Sequence, residues 1–94
     1  MFAYMYILKC AKGKYYTGST KFLDRRIEEH QVGLGARFTK KHRPVELVYF
    51  EEFDRIEDAF KREKQIQGWT HRKKKALIEG RYDNLKIIGK KKFE

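Results

Sequence analysis

Glu63 is the side chain whose surroundings most need explaining. At helical spacing it falls within an apolar stripe formed by Ile56, Ala59, Phe60 and Ile66. An ionised carboxylate on an inward face is costly unless a cation, a metal or a hydrogen-bond donor compensates it. A salt bridge to an arginine of the preceding helix would do so, and so would a divalent metal. In that preceding helix Arg26 and His30 stand one turn apart and border the stripe of Leu23 and Ile27, so both are expected to face a cleft. Taken alone, Arg26 is equally suited to pairing with Glu63, and His30 to a satisfied place at the edge of the core. Further upstream, Tyr4, Tyr6 and Leu8 share one face of a first strand, and Tyr16 and Gly18 one face of a second. Two phenols can therefore meet across a hairpin, although packing by itself also favours tyrosine in strands. Gly18 forfeits packing and conformational stability there, the mark of a bulge or of a close approach by another group.

The balance of charge restricts what such groups could act on. Lys and Arg outnumber Asp and Glu by 23 to 13, a formal net charge of +10 on 94 residues. So strong a surplus attracts polyanions over long range and makes nucleic acid the expected partner, whether for an enzyme or for a ribosome-associated basic protein. Cys10 is the only cysteine, which excludes an intrachain disulfide and the Cys-rich zinc frameworks and fits a reducing cytoplasm. The apolar run from Tyr4 to Leu8 is too short to span a bilayer and lacks the charged leader and cleavage site of a signal peptide, so no membrane partner is expected.

The elements that must position these groups follow from periodicity and punctuation. Ala3 to Lys9 and Lys14 to Ser19 read as strands joined by a turn at Ala11-Lys12-Gly13. Thr20 is placed to cap a helix from about Lys21 to Val32, with Gly33 as its stop. Gly33 to Pro44 shows no sustained period and reads as a loop, followed by a strand from Val45 to Phe53. Asp54 with Glu57 predicts a capping-box start for a helix through about Gln67, and a shorter helix is predicted from near Thr70 to Gly80. Aromatics spread along the chain, among them Phe38, Phe50, Phe60 and Trp69, would enlarge a core limited by chain length. The expected fold is α+β: a three-stranded antiparallel sheet flanked by helices, in the order strand-strand-helix-strand-helix-helix. Residues 1–80 would form one domain, and 81–94 a basic extension, partly docked through Leu85, Ile87 and Ile88 or frayed.

Taken jointly, YMYILKC, YYTGST, Arg26 with His30, and Glu63 in the following helix resemble the GIY-YIG nuclease superfamily in order and spacing. The runs GLGARFTKKHRPVELVYFEEF, REKQIQGW and RKKKALI look like the small stand-alone bacterial members often labelled excinuclease-like. In this correspondence Met5-Tyr6 stands where GIY ends and Tyr16-Thr17-Gly18 where YIG lies. The resemblance implies a metal-dependent endonuclease acting on DNA more than RNA, on single-stranded or branched forms, in repair or recombination. It implies Tyr6, Tyr16, Arg26, His30 and Glu63 as catalytic residues, with Glu63 holding one Mg²⁺ or Mn²⁺ and Arg26 clamping a non-bridging phosphate oxygen. Tyr6 or Tyr16 would orient or deprotonate the attacking water, with His30 holding a tyrosine hydroxyl or assisting the proton transfer. Arg37, Lys40, Lys41 and Arg43 would touch the sugar-phosphate backbone, with Phe38 available for stacking on a base and Arg72, Lys73, Lys74 and Lys75 beyond the cut. A monomer or weak dimer, and a protein partner for targeting, are compatible with so small a chain. Lys75 and Ala76 stand where many members of the superfamily carry Asn, and the alternative is a nucleic-acid-binding module with the same fold and little or no catalysis.

Overall fold

The computed structural model describes residues 2–80. The predicted docking of Leu85, Ile87 and Ile88, and the basic extension as a whole, lie outside the described residues.

The first strand, β1 (Ala3–Lys9), is apolar on both faces, with Ala3, Met5, Ile7 and Leu8 fully buried and Tyr6 nearly so. Such a strand is stable only with partners on both edges and layers above and below. A turn at Ala11–Gly13 leads into β2 (Tyr15–Thr20), and β3 (Glu46–Phe53) takes the other edge of β1. The sheet order is β2-β1-β3, with both pairings antiparallel. The expected α+β fold is thus observed, and β2 is left with one free edge.

Alternation along β1 divides the core in two. On one face Tyr6, Leu8, Cys10 and Val45 pack with Tyr16, Leu23, Ile27, Phe38 and Leu47, under α1 (Leu23–Gln31) and α2 (Arg37–Lys41). On the other, Met5 and Ile7 pack with Ile66, Ala76 and Leu77 from α3 (Ile56–Gln67) and α4 (His71–Ile78). Helix ends follow local chemistry in part. Gly33 and Gly80, both at positive φ, close α1 and α4, and the Thr70 hydroxyl accepts from the Lys73 N–H at the start of α4. Thr20 accepts a hydrogen bond from the Phe22 N–H just ahead of α1, whose cap position is Phe22 itself.

Three expectations are corrected. The stretch from Gly33 to Pro44 is not all loop, because Arg37–Lys41 forms α2, a helix too short to display a period. Asp54 does not cap α3: the chain bends after Phe53, Arg55 in an extended conformation takes the cap position without a side-chain bond, and Glu57 pairs with Arg55 instead. Phe60 is no part of the buried stripe but half exposed, with the Lys64 ammonium over its ring, and Phe50 is half exposed as well. The place expected for Phe60 on the inner face of α3 goes to Arg62, which is 2 % exposed and forms a two-pronged ion pair with buried Glu51 at 2.8 and 3.0 Å. The Trp69 ring lies against this guanidinium.

Candidate active site

The hairpin register sets Tyr6 directly across from Gly18. The phenol lies over that glycine so closely that a Cβ at position 18 would sit 2.5 Å from the Tyr6 hydroxyl oxygen. The missing side chain is the space the ring fills, which accounts for a glycine in mid-strand. Tyr16, across from Leu8, lies on the same face, its ring 6.4 Å from that of Tyr6 and 5.1 Å from the His30 imidazole.

His30 does not line a cleft, as its place on α1 led us to expect, but is fully buried beneath the two tyrosines. Its Nε2 is 2.8 Å from the Tyr6 hydroxyl and its Nδ1 2.7 Å from the Thr39 hydroxyl of α2. The Thr39 hydroxyl in turn donates to the Ala36 carbonyl at 3.0 Å. A hydroxyl has one proton, and Thr39 spends it on Ala36. The oxygen must then accept from Nδ1–H, which leaves the Nε2 lone pair to accept from Tyr6. Burial, reinforced by the Arg26 guanidinium, lowers the His30 pKa from 6.5 to about 4, so the imidazole is neutral at physiological pH. Gly35, in the segment between α1 and α2, lies flat against the same ring, where any Cβ would collide with Nδ1.

Burial also raises the pKa of Tyr6, with Tyr16 adding to the effect and Arg26 partly offsetting it. Tyr16 is raised by burial and by the charge of Glu63, again against the pull of Arg26. One guanidinium and one carboxylate therefore act on both phenols. Arg26 donates from Nη1 to Glu29 at 2.9 Å, lies within hydrogen-bond reach of the Tyr6 hydroxyl and does not pair with Glu63, and the rest of its five N–H donors remain for other acceptors.

Glu63 arrives from the opposite face of the sheet. Its Oε1 accepts from the Ser19 hydroxyl at 2.6 Å and its Oε2 from the Gln67 amide at 2.7 Å. The same amide also reaches the Thr17 carbonyl at 3.3 Å, tying α3 to β2. Among the described residues the nearest cation is Lys64, at 4.0 Å. The salt bridge to an α1 arginine considered from the sequence is thus absent, and neutral donors compensate the carboxylate. They use two of roughly four acceptor positions, and the side chain keeps 12 % exposure, so oxygen lone pairs remain for a hard cation. Among the described residues no three His, Cys, Asp or Glu side chains cluster to hold a metal. A lone carboxylate is the donor set of an Mg²⁺ that keeps most of its waters and takes further ligands from a phosphate, and the residues present fit that arrangement.

The basic residues divide by exposure. Arg37, Lys40, Lys41 and Arg43 are exposed on and after α2, as are Arg72, Lys73 and Lys75 on α4. Lys74 is half buried, its pKa lowered by burial, and it lines a groove of about 290 Å³ with Tyr16, Thr17, Phe38 and Gln67. Phe38 is less free than its predicted stacking role requires. It stacks on His42 at 4.2 Å and lies parallel to Tyr16 at 6.2 Å, leaving part of the ring to the groove. A larger open cleft of about 540 Å³, between Tyr4, Phe22 and Phe50, contains none of the five residues just described. Sequence reasoning missed Ser19, Gly35, Thr39 and Gln67. Gly35 and Thr39 stood in the segment read as loop, and Gln67, one turn beyond Glu63, was the one carrying a positional signal.

Comparison with known proteins bears on the family and the fold. The GIY-YIG catalytic domain matches residues 2–76. A UPF0213 protein of Staphylococcus aureus strain Mu3 is 45% identical over 78 residues, 83% of this chain and 95% of the relative. One of Staphylococcus saprophyticus is 48% identical over 75 residues, 80% of this chain and 92% of the relative. The solution structure of the UPF0213 protein BH0048 from Bacillus halodurans is 37% identical and covers 94% of this chain and 97% of that one, with a TM-score of 0.55.

Proposed function

Because the chain belongs to the GIY-YIG catalytic-domain family, we propose that it is a metal-dependent endonuclease that hydrolyses phosphodiester bonds in DNA. The observation that carries this reading is the buried Tyr6–His30 hydrogen bond, with Tyr16 and Arg26 beside it and Glu63 acting electrostatically on both phenols. Glu63 would hold the Mg²⁺ or Mn²⁺. When bound, the metal would supply positive charge for the phosphate and the departing sugar oxygen.

The chain's own residues account for the rest. Free donors of Arg26 bind a non-bridging oxygen and stabilise the charge gathering there. Tyr16, whose raised pKa keeps it protonated, donates to the phosphate. Tyr6 donates a hydrogen bond to Nε2 and turns a lone pair towards the attacking water. As the water attacks, Tyr6 takes a proton from it and passes its own to His30, which becomes an imidazolium. A phosphate on Arg26 neutralises one of the two causes that depress the His30 pKa, so substrate makes the imidazole a better acceptor at the moment it is needed.

The exposed cations of α2 and α4 fit the flanking strand, and single-stranded or branched DNA of repair or recombination is the substrate we favour over RNA. Residues 1–80 act as the catalytic domain of a cytoplasmic protein that spans no membrane. No helix among the described residues is long and apolar enough to cross one. The test is Glu63→Gln against single-stranded, duplex, flapped and RNA substrates with Mg²⁺ or Mn²⁺. Cutting should be abolished while folding and oligonucleotide binding persist, and cutting at the wild-type rate would overturn the reading. Wild-type protein that retains oligonucleotides and cuts none would fit the binding module to which Lys75 and Ala76 point.

A further inference from the structure

We propose that Thr39 is a positioning residue that selects the tautomer of His30 and so decides whether the imidazole can receive a proton from Tyr6. The inference rests on the nuclease reading for its consequence, but its geometry stands apart from it. With Nδ1 protonated, Nε2 offers a lone pair to the Tyr6 hydroxyl, and the phenol's own lone pairs are left for Arg26 and a water. With Nε2 protonated, the ring would donate to Tyr6 and could take no proton from it. The neutral ring has both options open to it in water, so something in the fold must choose.

The groups that face the ring are few. Tyr6 comes from β1, Tyr16 from β2, and Arg26 and Glu29 lie on the ring's own helix. Among the described residues only Tyr6 and Thr39 touch its nitrogens. A tyrosine hydroxyl can donate or accept and settles nothing. Thr39 settles it, because the Ala36 carbonyl 3.0 Å from its oxygen is an acceptor only. Were Thr39 to donate to Nδ1 instead, its oxygen and that carbonyl would face each other across 3.0 Å with no proton between them. Thr39 is fully buried, so two oxygens held that close with no proton between them would repel where water cannot relieve them, even though the carbonyl also accepts from the Lys40 N–H at 3.0 Å. Gly35 completes the setting by allowing the backbone to press on the ring and prevent it from turning over.

The test is nitrogen-15 NMR of the His30 ring in the full-length protein, with cleavage rates for wild type, Thr39→Val and Thr39→Ser. Wild type should show the Nδ1–H form. Valine keeps the shape and loses the hydroxyl. It should mix the tautomers and slow cleavage on the order of 10- to 100-fold, the effect typical of losing a histidine's orienting partner. Serine keeps the hydroxyl and should restore both. An Nε2–H ring in wild type overturns the proposal, as does a Thr39→Val protein with wild-type tautomer and rate, or a Thr39→Ser protein as slow as Thr39→Val. Should Thr39→Val fail to fold, the wild-type spectrum and the serine variant still decide. A wild-type protein that cuts nothing refutes the nuclease reading alone, since the ring's tautomer is read without substrate.

Discussion

Replacing Gly18 by alanine should weaken both the fold and the reaction, although general strand behaviour predicts a gain. Gly18 has no positive φ, and exchanging glycine for alanine within a strand ordinarily stabilises by roughly 0.5–1 kcal/mol. Here the new Cβ would stand 2.5 Å from the Tyr6 oxygen, 2.7 Å from Cζ and 3.1 Å from Cε2. To reach an ordinary contact of 3.4 Å the ring must retreat by about 0.9 Å, the difference between the two distances. It has little room to do so, being 1 % exposed with Tyr16 and His30 packed against it. Overpacking of this kind costs about 1–3 kcal/mol, which outweighs the strand gain and leaves a net loss of up to about 2.5 kcal/mol. A shift of that size disturbs the 2.8 Å bond to His30, and misplacement by about 1 Å can cost about 100-fold in rate. Single-turnover cleavage and urea denaturation of Gly18→Ala measure the two effects. Adding Tyr6→Phe, which removes the most crowded atom, should recover part of the stability and none of the rate. A Gly18→Ala protein more stable than wild type and as fast would refute the proposed packing of Tyr6.

Stability should fall as pH is lowered through the window between the two pKa values of His30. The unfolded histidine takes up a proton below about 6.5 while the folded one resists until about 4, so the unfolded state binds more protons in between. The loss is at most about 3 kcal/mol for this group, read by urea denaturation across the window, and an equal stability at both ends would contradict a neutral buried imidazole. Arg62→Leu should cost about 3–5 kcal/mol because it strands the buried Glu51 carboxylate, while cleavage per folded molecule stays near wild type. A stability loss below 1 kcal/mol, measured in the same way, would show the pair to be dispensable. Each alanine at Lys40, Lys41 or Arg43 should reduce the salt slope of oligonucleotide binding by about 0.7 to 0.9, measured by titration at several ionic strengths, and unchanged slopes would remove α2 from the interface.

The strands and the long helices were legible because each presents several residues in register. Burial on both faces of β1 marks it as central, and the spacing of Leu23 with Ile27, or of Ala59 with Ile66, marks an inward face. Elements shorter than a period were not legible, and α2, at five residues, is the clearest case. The candidate site divides along the same line. Tyr6, Tyr16, Arg26, His30 and Glu63 stand out as chemically costly or reactive types in patterned segments. Thr39, Ser19 and Gln67 are ordinary polar residues whose importance lies in which atom they touch. Contacts such as Ser19 with Glu63, 44 positions apart, carry no local signal. The buried Arg62 escaped for a related reason, since its partner Glu51 lies in another element, 11 positions away.

Inferring that Glu63 needed a partner was sound, and the kind of partner it has bears on chemistry. Had Arg26 neutralised it, each charge would have cancelled the other, and neither metal nor phosphate would find a field to bind to. Instead, Ser19 and Gln67 solvate the carboxylate without cancelling its charge, and Glu29 and the Tyr6 hydroxyl engage part of the guanidinium while its remaining donors stay free. The sheet keeps the two apart, with Arg26 on the face of α1 and Glu63 on the face of α3. They can act on a common point only around the free edge of β2, where Gly18 lets Tyr6 lie against the backbone and Ser19 turns to the other side. A cation attracted to one face and an anion to the other would meet at that edge, and a metal-bound phosphodiester carries both charges.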